Sequence, residues 1–236
     1  MLRKYCDFDE GYYAYYSDLE IESEEGSCSP LYIGNDMSNT RQGKLFIISG
    51  PSGVGKTTLV DKLLIMIGNR YNIHRVITYT TKLPRPGESN GIDYHFISKS
   101  DFESKLASNF FIEYSNVYGH YYGSPRGIIN ELSQGKSFVL IVDQLGAYNI
   151  KKQYVKSILI WIRPPSLDEL ASRLQNRATE TEDDVQKRLM IARNEIETEA
   201  KQQLFDYFIE NNILIEALDS LINIFKAEIT SGSTDC

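Results

Sequence analysis

The residues 50–57 have the types and spacing of a loop that binds the phosphates of a nucleotide. They read GPSGVGKT, which matches the pattern G-x-x-x-x-G-K-[ST]. Glycines let the backbone pass close to a phosphate with its N–H groups turned inward, and the N-terminus of a following helix adds about half a positive charge. Lys56 would add a full charge at the β- and γ-phosphates, and the Thr57 hydroxyl would bind Mg²⁺. The motif predicts binding of ATP or GTP and leaves the second substrate open.

A second polar segment, 78–96, combines hydroxyl groups, two cations and two tyrosines around a turn that proline stiffens. It is followed by Glu113 and by the run GHYYGS at 119–124. By its residue types alone, the segment is compatible with an ordinary surface loop as well as with a second substrate site.

Arginines form a third group. Arg173 and Arg177 are four residues apart, so they lie on one face if the segment is helical, and Arg188 follows. Without further context, this pattern is that of a charged helix facing solvent.

Composition and charge limit the function classes. The chain has 236 residues, of which 42% are hydrophobic and 24% charged, values typical of a globular protein with one large or two small domains. Residues 1–42 contain nine acids and three bases, a net charge of −6, so the other residues contribute only −1 to the total of −7. No basic patch for nucleic acid is expected. No segment approaches the roughly 20 apolar residues of a membrane span.

The apolar pattern predicts the elements that would position these residues. Apolar runs at 45–48, 138–142 and 158–162 favour buried strands, with another short strand at 207–210. Helices are predicted over 57–67, with Gly68 as the stop, and over 181–200 and 213–229. Ser124-Pro125 and Ser166 have the types of helix starts, the latter with a capping box to Glu169. Strands that alternate with helices predict an α/β fold with a mainly parallel sheet.

The motifs in this order resemble the guanylate kinase family. After the phosphate-binding loop come TTKLPRPGE with Gly91, Tyr94 and Phe96, then FIE at 111–113, GHYYGS, Asp143 at a strand end, and RLQNRATETE from Arg173. The resemblance covers about 44–228. It implies a P-loop NTPase fold with a mainly parallel sheet and flanking helices, a small mixed β-rich GMP-binding part at about 77–125, and a helical lid at about 173–195. It also implies transfer of the γ-phosphoryl group of ATP to GMP, and to dGMP, with Mg²⁺.

The resemblance assigns roles to individual positions. The residues implied in ATP binding are Gly50, Pro51, Ser52, Gly53, Val54, Gly55, Lys56, Thr57, Thr58, Arg177 and Asn211, with Thr57 also bound to Mg²⁺. Those implied in GMP binding are Thr78, Lys82, Arg85, Tyr94, Glu113, Tyr122, Ser124 and Asp143. The catalytic cations implied are Lys56, Arg173, Arg177 and Arg188. Guanine presents N1–H and a 2-amino group as adjacent donors, which a carboxylate accepts and adenine cannot offer.

Two positions depart from the family pattern. Lys82 stands where the family has an arginine, which keeps the charge and loses the planar fork of donors. Ile141 stands where many relatives have an aspartate, and Gln144-Leu145 replaces an apolar residue followed by glutamine. The first departure predicts weaker binding of the GMP phosphate, and the second puts the contacts around Mg²⁺ in doubt.

Other interpretations remain open at this stage. One is a guanylate-kinase-like module that binds phosphorylated peptides, although such modules typically have a degraded phosphate loop. The other is a P-loop kinase that acts on another phosphorylated small molecule.

The expected domain organisation has three parts. We expect residues 1–42 to be a flexible acidic extension, with docking of its tyrosines as the alternative. The kinase domain is expected to span 43–230, and 231–236 to be a polar tail. The cysteines lie only at 6, 28 and 236, which favours a reducing compartment. We therefore expect a cytoplasmic monomer or homodimer without membrane or nucleic-acid partners.

Overall fold

The computed structural model describes residues 42–117, 119–175 and 182–231. The strands in chain order are β1 (Leu45–Ser49), β2 (Ile73–Arg75), β3 (Tyr79–Thr80), β4 (His95–Phe96), β5 (Phe111–Val117), β6 (His120–Pro125), β7 (Ser137–Ile141), β8 (Ile158–Arg163) and β9 (Tyr207–Glu210). The helices are α1 (Lys56–Leu63), α2 (Asn69–Tyr71), α3 (Lys99–Ala107), α4 (Ile128–Leu132), α5 (Gln144–Gln153), α6 (Leu167–Gln175), α7 (Glu182–Gln202) and α8 (Leu214–Ser231), with a π-helix at Leu64–Gly68 between α1 and α2. Residues 1–41 of the predicted extension, the end 232–236 and Arg177 lie outside the described residues.

A five-stranded parallel sheet forms the centre of the fold. Its strand order is β2-β7-β1-β8-β9, and every neighbouring pair is parallel. All five residues of β1 are buried, as the continuous apolar run at 45–48 predicts. Phe46 and Ile48 contribute to the core with α1 and α8, whereas Leu45 and Ile47 contribute to the core with α4 and α5. The α/β fold with a mainly parallel sheet is thus confirmed.

A second sheet of four short strands carries the polar segment that follows β2. Its order is β4-β3-β6-β5, with β3 and β4 parallel and the other two pairs antiparallel. On one face of this sheet, Phe102 of α3 stacks on Phe111 at 4.6 Å between ring centroids. The mixed β-rich part of the predicted fold is present.

Two of the predicted helix boundaries are wrong. Ser124 and Pro125 end β6 and do not open a helix, because Ser124 pairs with Glu113 across the sheet and its hydroxyl is bound there; the next helix begins at Ile128. Gly68 does not stop the first helix either. It has helical φ and ψ of −53°, and the chain stays helical to Tyr71 before Asn72 takes the left-handed conformation, at φ 52°. Asparagine tolerates that conformation better than most residues.

The other predicted elements agree with the structure within two residues at each end. Helices predicted over 181–200 and 213–229 are observed at Glu182–Gln202 and Leu214–Ser231, and the strand at 207–210 is β9. The Ser166 hydroxyl accepts the Glu169 N–H at 3.1 Å, as the capping box predicts. Within the described ranges, no helix combines the length and the apolar character that a bilayer crossing requires.

Candidate active site

The loop 50–55 joins β1 at the centre of the sheet to the N-terminus of α1. Gly50 has φ 142°, and a Cβ atom there would lie 2.1 Å from the Ile162 carbonyl oxygen, so a larger residue would push the loop off β8. Gly55 caps α1 at φ 95°, a conformation that strains any residue with a side chain. These constraints explain why the phosphate-loop pattern requires glycine at both positions.

Lys56 is the first residue of α1, and its side chain turns back onto the loop. Its ammonium group donates to the carbonyl oxygens of Gly50 at 2.5 Å and Pro51 at 2.9 Å. Thr57 and Thr58 are exposed in the first turn of α1. The loop therefore presents a cation and two hydroxyl groups at a helix N-terminus, where negative charge is favoured.

Asn211 supports this loop from the end of β9. It is buried, and its amide donates to the Val54 carbonyl oxygen at 2.8 Å. The Asn211 carbonyl in turn accepts from the Arg173 guanidinium at 2.9 Å. The residue that the resemblance associates with ATP binding is thus bonded to the loop itself and to an arginine of α6.

The arginines of the lid segment differ in how they reach this loop. Arg188 of α7 donates to the Ser52 hydroxyl at 2.7 Å, a contact between residues 136 positions apart. Arg173 of α6 also donates to Glu169, one turn earlier on its own helix, at 3.0 Å. Arg188 therefore contacts the phosphate loop directly, whereas Arg173 is linked to it through Asn211.

A cluster of cations and tyrosines lies on the second sheet. The Lys82 ammonium is 4.5 Å from the centre of the Tyr94 ring, and the Tyr94 and Tyr122 rings are 6.1 Å apart between centroids. Burial raises the pKa of Tyr122 to about 12, while the charge of Arg85 acts in the opposite direction. The structure thus brings together the four residues predicted to bind the GMP phosphate.

Glu88 belongs to this cluster, although the sequence interpretation gave it no role. Its carboxylate accepts from Lys82 at 2.6 and 2.8 Å and from the Arg85 backbone N–H at 2.8 Å. The sequence signal that could have identified Glu88 is its position, as an acid, three residues after Arg85 and six after Lys82.

The two predicted guanine-binding acids come from different sheets, Glu113 from β5 of the second sheet and Asp143 from just after β7 of the parallel sheet. Glu113 is 5% exposed and accepts the Ser124 hydroxyl at 2.5 Å. Burial raises the pKa of Glu113 to about 8; the Ser124 hydroxyl lowers it and the charge of Asp143 raises it. Asp143 caps α5 by accepting the Gly146 N–H at 2.7 Å. Both acids and Ser124 thus form one group, which suits a ligand with adjacent N–H donors.

Two cavities lie beside these groups. A small one of about 30 Å³ lies between the parallel-sheet part and the second sheet. It is lined by Thr57, Arg75, Val76, Thr78, Asp93, Tyr94 and Ile141. A larger one, about 410 Å³, lies between β5 and α5 and includes Glu113, Arg126 and Gln153 in its wall. The first cavity lies between Thr57, next to the phosphate loop, and Tyr94 of the tyrosine cluster.

The side chains near Thr57 fit a Mg²⁺ ion that arrives with a nucleotide. Among the residues that the structure describes, no three His, Cys, Asp or Glu side chains are grouped to hold a metal ion by themselves. The Thr57 hydroxyl is exposed beside the loop, and Ile141 contributes no oxygen there. Mg²⁺ commonly binds through few protein oxygens together with substrate phosphates and water.

Known proteins match this chain over most of its length. The family model "Guanylate kinase" matches residues 42–228. A guanylate kinase of Neisseria gonorrhoeae is 42% identical over 192 residues, covering 81% of this chain and 91% of the relative. One from Protochlamydia amoebophila is 43% identical over 189 residues, with 80% and 92% covered.

A solved structure extends the likeness to the fold. The crystal structure of guanylate kinase from Anaplasma phagocytophilum has a TM-score of 0.66 and 30% identity, and the match covers 80% of this chain and 87% of that one. The match of the family model over most of the described residues leads to one conclusion: the chain belongs to the guanylate kinase family.

Proposed function

We propose that this enzyme, which transfers the γ-phosphoryl group of ATP to GMP, does so between the phosphate loop and the cluster on the second sheet. The observation that carries the proposal is the cavity that Thr57 shares with Thr78 and Tyr94. It adjoins the start of α1, where the ATP phosphates would bind, and the tyrosines beside Lys82, where the GMP phosphate would bind. An in-line transfer requires such adjacent sites.

Charge neutralisation supplies most of the catalysis in this proposal. The acceptor is already an anionic phosphate, so no strong base is needed, and the barrier comes largely from bringing two negative groups together. Lys56 would act at the β- and γ-phosphates, and Arg173 and Arg188 would approach the transferring group from α6 and α7. Their bonds to Asn211 and Ser52 support this role, because both partners belong to or hold the phosphate loop. The role of Arg177 at the donor phosphates stays a prediction.

The acceptor site would use two chemistries. Lys82, Arg85, Tyr94 and Tyr122 would hold the GMP phosphate through charge and hydroxyl donors. At the base, the carboxylate of Glu113 would accept N1–H and the 2-amino group of guanine, helped by Asp143, with the hydroxyls of Thr78 and Ser124 nearby. Adenine would place its N1 acceptor against that carboxylate and be rejected.

Mg²⁺ would be held by the Thr57 hydroxyl and otherwise through phosphates and water. When bound, the ion supplies positive charge at the β- and γ-phosphates. The remaining work belongs to the chain: the loop amides and Lys56 hold the donor phosphates, and the arginines help to exclude water when the lid closes.

A coupled assay with ATP and Mg²⁺ tests the proposal. GMP should be turned over, dGMP should be accepted, and AMP should be rejected by at least about tenfold in kcat/KM, because a carboxylate would face an acceptor. Binding of a phosphopeptide without turnover of GMP would overturn the proposal in favour of a binding module. The cytoplasmic location, the monomeric or homodimeric state and the flexible extension 1–42 stay predictions.

A further inference from the structure

The inner face of α7 carries two glutamates where apolar residues are expected. The side chains that face the protein follow a spacing of three and four residues, which is the period of a buried helical stripe. They are Val185, Arg188, Ala192, Glu195 and Glu199. Glu195 is 8% exposed and Glu199 is 4% exposed.

Burial of an ionisable side chain is costly unless something compensates it. Removing a carboxylate from water is strongly unfavourable, whereas leucine at the same position would stabilise the contact. The apolar part of the same stripe does pack in this way: Val185 and Ala192 join Leu170 and Leu174 of α6 in a small apolar cluster. The two glutamates therefore call for a reason other than packing.

The surroundings of Glu195 are those of the active site. Burial raises its pKa to about 8, the Lys56 ammonium lowers it and the charge of Asp143 raises it, so Glu195 lies within electrostatic reach of both. Arg188, seven residues earlier on the same face, bonds to Ser52 of the phosphate loop. One face of α7 thus turns a cation and a carboxylate towards the same loop, two helical turns apart.

Glu199 differs from Glu195 in its neighbours. Burial raises the pKa of Glu199, and the polar groups of Phe205, the Gln144 side chain and Leu204 lower it, although neither carboxylate oxygen of Glu199 has a hydrogen-bond partner among the described residues. These neighbours belong to α5 and to the connection before β9. Lys56 therefore affects the pKa of Glu195 and not the pKa of Glu199.

We propose that Glu195 is a positioning residue that acts through Lys56. Its carboxylate, held on the face of α7 that Arg188 fixes against Ser52, provides a counter-charge beside the Lys56 ammonium and so links the position of the lid helix to that of the lysine. An ammonium group among the arginines of a phosphate site is repelled by them, and a charged carboxylate on the lid side offsets that repulsion. Because burial raises the pKa of Glu195 to about 8, this counter-charge is present mainly above that pH. The inference rests on the proposed role of Lys56 at the ATP phosphates.

A charge-removing substitution with a matched control tests this role. Glu195→Gln keeps the shape and removes the charge, and Glu197→Gln makes the same change at an exposed position of the same helix. At pH 8.5, where the Glu195 carboxylate is largely charged, we expect Glu195→Gln to lower kcat about tenfold, equivalent to about 1.4 kcal/mol, with an unchanged KM for GMP. Glu197→Gln should match the parent. Equal kcat values for the two variants, or a loss confined to the melting temperature, would overturn the inference.

A binding cycle separates this role from the role of Lys56. The affinity for ATP is measured by calorimetry without GMP for the parent, Lys56→Met, Glu195→Gln and the double variant. If Glu195 acts through Lys56, the effect of Glu195→Gln disappears in the Lys56→Met background. Additive effects would refute the inference while the role of Lys56 survives, whereas an unchanged affinity in Lys56→Met alone would refute the proposed role of the lysine.

Discussion

The Lys82 ammonium lies 2.6 and 2.8 Å from the two carboxylate oxygens of Glu88, and this pair is largely shielded from solvent, with side chains 10% and 19% exposed. An ammonium group has three N–H donors, and both carboxylate oxygens of Glu88 accept from the ammonium group of Lys82. Lys82 therefore has little remaining capacity for a phosphate. A guanidinium has five donors in a planar fork and can serve a carboxylate and a phosphate together.

The first prediction concerns this lysine. We expect Lys82→Arg to lower the KM for GMP about three- to tenfold, with a smaller change in the KM for ATP, because each added charged hydrogen bond contributes about 1 kcal/mol. Steady-state kinetics with each substrate varied in turn would measure both constants. Lys99→Arg, in the exposed pair with Glu103, is the matched control and should change neither. A KM for GMP that stays equal or rises in Lys82→Arg would contradict the prediction.

Guanine selection is the second prediction. Glu113→Gln replaces one acceptor oxygen by an amide that would face the guanine donors, so kcat/KM for GMP should fall at least about thirtyfold. Discrimination against AMP should shrink at the same time. Glu103→Gln, an exposed change of the same kind on α3, should leave both values unaltered. Full GMP activity with unchanged discrimination in Glu113→Gln would exclude the carboxylate from base recognition.

The third prediction is a pH dependence of GMP binding. The pKa of Glu113 is raised to about 8, so the group is mostly protonated at pH 6.5, whereas the guanine donors bind the charged form. Affinity for GMP should therefore increase from pH 6.5 to 8 and level off above it, by at most tenfold per pH unit. Calorimetric titrations in the parent and in Glu113→Gln would separate this effect from ionisation of the GMP phosphate. If the affinity for GMP changed with pH in the same way in the parent and in Glu113→Gln, ionisation of Glu113 would be excluded as the cause.

A further prediction concerns the support of the phosphate loop. Asn211→Ala removes the buried donor to the Val54 carbonyl, so we expect a loss of about 1 to 3 kcal/mol in the free energy of unfolding and a higher KM for ATP. The neighbouring Asn212 is exposed, which makes Asn212→Ala the control. Chemical denaturation and ATP kinetics would give the two quantities. Parent-like values of both in Asn211→Ala would show that the bond supports neither stability nor ATP binding.

Local sequence patterns were sufficient where neighbours along the chain decide the structure. The loop 50–57 is contiguous, and its glycines, lysine and helix start identify it by themselves. The strands β1, β7 and β8 followed from apolar runs, since a strand covered on both faces leaves few polar positions. Ser124 shows the limit of such patterns: its type favours a helix start, but a pairing with Glu113, eleven residues earlier, binds its hydroxyl.

The sequence by itself therefore determined the fold class, the phosphate loop and the resemblance that located the acceptor residues. Tertiary structure decided which of these groups meet: Arg188 reaches Ser52 across 136 residues, and Glu88 joins Lys82 and Arg85. It alone revealed that Glu195 is buried within electrostatic reach of Lys56, because an acid on a helix is indistinguishable in sequence from the exposed acids around it. The physical reason is that burial and charge proximity depend on packing between distant segments, which local periodicity does not encode.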